Sequence, residues 1–84
     1  MTEHVVRVFS TPTCPYCIKV KQLLEQLGVK HKDINVAVDD EALQEMMDES
    51  GQQGVPVSDI AGEWIVGYDK ERIVATLKKK GWIK

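Results

Sequence analysis

Residues 5–27, VVRVFSTPTCPYCIKVKQLLEQL, decide the fold. Val5, Val6, Val8 and Phe9 form a β-branched and aromatic run that Ser10-Thr11-Pro12-Thr13 stops, which reads as a buried strand running into a loop. From Pro15 onward, Val20, Leu23, Leu24 and Leu27 keep the spacing of an amphipathic helix. Pro15 is acceptable in the first turn, where a missing N–H costs nothing, and Gly28 is a fitting C-terminal cap. Between strand and helix stand Cys14 and Cys17, three positions apart.

Working outward, a second strand is predicted over Lys30 to Val36, with Ile34 and Val36 on one face. Asp39 and Asp40 are candidate N-caps for a second helix, whose Leu43, Met46 and Met47 form a short apolar stripe and which Ser50-Gly51 ends. Val55 to Ile60 reads as a third strand despite Pro56, Ala61-Gly62 as a tight turn, and Glu63 to Val66 as a fourth strand. Two apolar runs around such a turn predict an antiparallel hairpin. Asp69 can cap a last helix with Ile73, Val74 and Leu77 facing inward, and Lys78, Lys79 and Lys80 sit where the helix dipole favours cations. The order β-α-β-α-β-β-α predicts an α/β fold: a mixed four-stranded sheet with three helices, its opening crossover parallel and right-handed.

The chain has 84 residues, 43% hydrophobic and 29% charged, with a formal net charge of −2. That is room for one domain, 1–84, and the apolar fraction is too high for disorder. No apolar run approaches the ~18 residues of a membrane span, and MTEHVVRV lacks the layout of a signal peptide. The near-neutral balance argues against a nucleic-acid partner, which needs a basic face. Two cysteines are too few for a secreted, disulfide-stapled miniprotein. A small, soluble, cytoplasmic domain is expected.

Residues three apart on a helix are neighbours, so the sulfurs of Cys14 and Cys17 can meet in a disulfide. Cys14 falls at the helix N-terminus, where unpaired N–H groups and the positive end of the dipole stabilise a thiolate. A thiol with a pKa near ~8.5 is only a few per cent thiolate at pH 7; a drop of about two units makes it mostly thiolate. Cys17, one turn in, should keep a higher pKa. Cys14 is therefore the expected nucleophile and Cys17 the resolving thiol. Half of a zinc site is a second reading, but it would need His4 and His31, far apart and not in a paired spacing. An inert structural bridge is a third, and it would span too short a loop to stabilise much.

Cys14-Pro15-Tyr16-Cys17, Ser50-Gly51-Gln52-Gln53-Gly54-Val55-Pro56 and Gly67-Tyr68-Asp69 together resemble the dithiol glutaredoxins of the thioredoxin superfamily. The resemblance spans essentially the whole chain. It implies a thioredoxin fold of glutaredoxin type and thiol–disulfide oxidoreductase activity on disulfide-containing proteins or glutathione mixed disulfides. No bound cofactor is implied; glutathione would be reductant or co-substrate, and the protein a monomer. It also implies a cis peptide before Pro56, with Val55 beside the disulfide, and X–Pro is the common site of such bonds. The glutathione groove, carried over by position, would involve Tyr16, Gln53, Val55, Pro56, Tyr68 and Asp69.

The chain departs from the family pattern at several of these places. Thr11 stands where a lysine often precedes the motif, Gln53 where an arginine is frequent, and Gly54 at the usual threonine position. Val66 and Lys70 replace a glycine and an acidic residue that commonly flank the last helix. Two cations that would meet the glycyl carboxylate are missing, each worth about 1.5–3 kcal/mol as a charge-assisted bond. The departures keep a rival alive: glutaredoxin-like redoxins that serve ribonucleotide reductase and are reduced by thioredoxin reductase. A third alternative is a dimer bridging an iron–sulfur cluster through Cys14, against which Pro15 and Tyr16 count. Trp64 and Trp82 are expected as packing anchors, and the acidic second helix and basic C-terminal end as solvated faces.

Overall fold

In the computed structural model of the chain, residues 5–52 and 54–83 are described. The elements follow in the order β1 (Val5–Ser10), α1 (Pro15–Gln26), β2 (Lys30–Asn35), α2 (Asp40–Ser50), β3 (Val57–Ile60), β4 (Glu63–Val66) and α3 (Lys70–Lys79). The sheet order is β2-β1-β3-β4, with β1 parallel to β2 and antiparallel to β3, and β3 antiparallel to β4. This is the thioredoxin fold, and the predicted element order holds throughout.

Alternation along the central strands sends side chains to two cores. Val6 and Val8 of β1, Ile60 of β3 and Ile65 of β4 meet Val20, Leu23 and Leu24 of α1 and Ile73 and Leu77 of α3. On the other face, Phe9 and Val57 meet Met46 of α2, with Leu43 and Trp64 packed at the margin. Trp64 stacks its ring 5.2 Å from that of Phe9, and Trp82 packs against the first core, so both tryptophans anchor as expected.

Four local readings need correction. The third strand starts at Val57 rather than Val55, because Pro56 has no N–H to give a ladder. The first strand runs through Ser10, and the second stops at Asn35, where the side-chain carbonyl takes the Ala37 N–H at 2.9 Å and turns the chain. On α3 the inward positions are Ile73, Thr76 and Leu77, with Val74 only half-buried. The caps are as read: Asp39 accepts from the Ala42 N–H at 3.0 Å, Asp69 from the Arg72 N–H at 3.1 Å, and Gly51 ends α2 at φ 75°.

One polar cluster interrupts the second core. Arg7, on the α2 side of β1, donates to Asp59 at 2.8 Å and in a fork to Glu45 at 2.9 and 3.0 Å. Its guanidinium also lies 5.2 Å from the Phe9 ring centroid and 5.5 Å from that of Trp64. Arg7 and Asp59 face each other in the β1–β3 register, which places a buried carboxylate within reach of a cation. Among the described residues, no helix is long and apolar enough to cross a membrane.

Candidate active site

The end of β1 delivers the chain to α1 through a turn in which the Cys14 N–H reaches the Thr11 carbonyl at 3.4 Å. Cys14 then takes the N-cap position in an extended conformation, φ −98° and ψ 109°, with Pro15 beginning the helix. Its sulfur does what a serine or aspartate oxygen usually does there: Sγ accepts the Cys17 N–H at 3.3 Å. Both thiols are free; Cys14 is partly accessible and Cys17 is fully buried.

Burial governs the chemistry of Cys17. Desolvation first, and then its contact with Cys14, push the Cys17 thiol up to about 11. Two influences oppose this, a backbone hydrogen bond from Thr11 and the positive charge of Lys21. The pair is therefore asymmetric, one sulfur open to solvent and one holding its proton inside the helix packing.

Opposite Cys14 lies the segment before β3. The Cys14 thiol faces the Val55 carbonyl at 3.9 Å, and the Val55–Pro56 peptide is cis. The Pro56 carbonyl accepts the Gly67 N–H at 2.8 Å, which ties this segment to the entry of α3. Tyr16, Val55, Pro56, Gly67 and Tyr68 line an open groove of about 400 Å³ beside the thiol. Tyr16 and Tyr68 remain 57% and 37% exposed, so the groove has two aromatic walls available to a ligand. Lys19 Nζ sits 5.2 Å from the Tyr16 ring centroid.

Of the residues singled out from sequence, Cys14, Tyr16, Val55, Pro56 and Tyr68 come together here, with Cys17 behind them. Asp69 is next in chain but not in the lining; its carboxylate is engaged as the α3 cap. Gln53 and His4 lie outside the described residues. His31 is half-buried on β2, and among the described residues no group of three or more His, Cys, Asp or Glu could hold a metal ion.

Sequence reasoning missed a second layer beneath the dithiol. Ser10 Oγ donates to Asp33 Oδ1 at 2.5 Å, and Lys21 Nζ bonds to Asp33 Oδ2 at 3.0 Å. The Ser10 hydrogen bond first, and Lys21 next, hold the Asp33 carboxyl below the usual carboxylate range. The available signal was Lys21 at one turn beyond Cys17, but Asp33 joins it only through the register of β1 with β2.

A family model described as Glutaredoxin matches residues 6–65. An uncharacterised glutaredoxin-like 8.6 kDa protein in the rubredoxin operon of Clostridium pasteurianum is 41% identical over 75 residues, covering 89% of this chain and 100% of that one. The crystal structure of a buckwheat glutaredoxin–glutathione complex is similar with a TM-score of 0.74 at 30% identity, covering 94% of this chain and 81% of that one. A thioredoxin-like protein of known structure reaches a TM-score of 0.82 at 26% identity, over 93% of this chain and 97% of the other.

Proposed function

The chain belongs to the glutaredoxin family of thiol–disulfide oxidoreductases, and we propose that it is a glutathione-coupled dithiol carrier that reduces protein disulfides or glutathione mixed disulfides. The observation that carries this reading is the open groove between Tyr16 and Tyr68, directly beside the accessible sulfur and the Val55 carbonyl. In the cycle, Cys14 Sγ attacks a substrate disulfide and one substrate sulfur leaves. Cys17 Sγ then attacks Cys14, which forms the Cys14–Cys17 disulfide and releases the second substrate sulfur. Two electrons pass to the substrate, and two equivalents of glutathione return them to the protein.

The asymmetry of the pair supports these roles. Cys14 is the sulfur a substrate can reach, and it stands at the open start of α1, where its Sγ accepts the Cys17 N–H. Cys17 is shielded from external disulfides and reacts only with a neighbour.

A second reading has support of its own: among the described residues that line the groove none is cationic, so this lining offers no charge to the carboxylates of glutathione. On that reading thioredoxin reductase is the electron donor, and the redoxin serves ribonucleotide reductase.

The deciding experiment presents the oxidised protein to glutathione with glutathione reductase, and separately to thioredoxin reductase, following NADPH consumption. Turnover in the first arm alone supports glutathione coupling, and turnover in the second alone overturns it. Cys14→Ser should abolish disulfide reduction, whereas Cys17→Ser should accumulate a mixed disulfide. Full activity in Cys14→Ser would remove Cys14 from the mechanism.

A further inference from the structure

The dithiol cycle, on which this inference rests, asks the buried Cys17 to become a nucleophile in its second step. Its Sγ–H bond must break, with the proton passing to water or to the departing substrate thiolate, before Cys17 Sγ displaces that sulfur from Cys14. Burial works against this, because desolvation raises the Cys17 thiol above its ordinary range. A device that supports the anion at that moment would therefore set the rate of resolution.

The layer beneath the dithiol supplies one. Lys21 is one helical turn beyond Cys17 and shares its face of α1. It is not a freely moving surface lysine: its side chain is 23% exposed, and its ammonium is fixed by Asp33, which Ser10 holds from the other side. Thr11, Ser10, Lys21 and Asp33, with Pro12 and Ile18, border a cleft of about 170 Å³. At ~30 Å³ per molecule, that is room for several waters. Thr11 also hydrogen-bonds through its backbone to the Cys17 sulfur, so the cleft touches the residue that contacts the thiol.

We propose that Lys21 is a positioning residue for the resolving step: anchored by Asp33 and Ser10, it holds a positive charge beside Cys17 as that sulfur becomes the attacking anion. The ionisable groups around Cys17 are Cys14 and Lys21 on its own helix and, across the Lys21 bridge on β2, Asp33 with His31 near it. Asp33 is a poor acceptor for the proton itself, because Ser10 and Lys21 stabilise its anion. Its part is to fix where the ammonium stands.

The size of the effect follows from two opposing dependences. If losing the Lys21 charge raises the Cys17 pKa by about one unit, the thiolate fraction near neutral pH falls about tenfold. The more basic thiolate is intrinsically about threefold more reactive, given a Brønsted coefficient of about 0.4–0.5. Resolution should therefore slow about threefold, with its pH profile moved to the alkaline side.

An aromatic disulfide such as dithiobis(nitrobenzoate) separates the two steps. Attack by Cys14 releases one thionitrobenzoate and leaves the other on Cys14; attack by Cys17 releases the second. Lys21→Met should leave the first phase at the wild-type rate, slow the second about threefold near pH 7.5, and shift the second phase's pH profile by about one unit. Lys21→Arg, which keeps the charge, should restore both. A second phase in Lys21→Met with the wild-type rate and pH profile overturns the proposal, as does equal slowing in Lys21→Arg, which would mark a packing effect. A wild-type protein with no second phase refutes the dithiol cycle itself.

Discussion

Folding carries Cys17 into a place where ionisation is costly, and that cost should be visible as a pH dependence of stability. Its thiol ordinarily titrates near 9.0; burial foremost, and then the contact with Cys14, pushes it to about 11. Between these values the unfolded chain gives up the proton and the folded chain keeps it. The contribution to stability is thus fully present below about pH 9 and is lost as pH rises through about 11. Two units correspond to about 2.7 kcal/mol in all, of which about 2 kcal/mol is gone by pH 10.5. Lysines and tyrosines titrate in the same range, so the comparison is between the wild type and Cys17→Ala, in which they cancel. Urea unfolding followed by tryptophan fluorescence, under anaerobic reducing conditions from pH 7.5 to 10.5, gives both stabilities. The advantage of the wild type over Cys17→Ala should shrink by about 2 kcal/mol across that range. An advantage constant to within about 0.5 kcal/mol would mean that Cys17 is as solvated in the folded protein as in the unfolded chain, and the reasoning from burial would fail.

Other perturbations test the packing that holds the site. Arg7→Met keeps an apolar stem between Phe9 and Trp64 but leaves the Asp59 carboxylate, 10% exposed, without its cation. Orphaning a buried charge costs about 3–5 kcal/mol; with Arg7 itself 35% exposed, screening by water should reduce this to about 2–3 kcal/mol by urea unfolding, and a loss below about 0.5 would show the network to be decorative. Ser58 Oγ is buried in the α1–α3 core with no hydrogen-bond partner among the described residues, so Ser58→Ala should stabilise the fold by about 1 kcal/mol and raise the Tm by about 4–8 °C. A lower Tm in Ser58→Ala would mean that the hydroxyl is satisfied in solution.

Elements whose signal is local were legible in the sequence. Val6 and Val8 against Arg7 and Phe9 announce a strand with two faces, and Val20, Leu23 and Leu24 a helix with one. Asp39 and Asp69 announce helix starts because an N-cap works within three residues. Cys14 and Cys17 needed only their spacing and their place between strand and helix. What depends on register was hidden. Arg7 meets Asp59 only because β1 pairs with β3 at that position, and Ser10 meets Asp33 only through the β1–β2 alignment. The third strand begins two residues later than the sequence predicts for a related reason: Val55 has strand-like chemistry, but its carbonyl faces Cys14 instead of a neighbouring strand. Thr76 carries no apolar signal in the sequence, although its place on α3 is buried.

The N-cap at Cys14 also explains why reactivity and helix start coincide. A helix leaves its first N–H groups without internal partners, and most chains satisfy one with a serine or aspartate oxygen. Here the acceptor is a thiol sulfur, which is a weak acceptor when protonated. The same N–H group of Cys17 becomes a charge-assisted partner once the sulfur is an anion. The position that must supply an acceptor for the helix start is also the one left at the open end of the helix, so cap and reactive sulfur fall on one residue. On its far side the same sulfur faces the Val55 carbonyl at 3.9 Å, which the cis peptide before Pro56 presents.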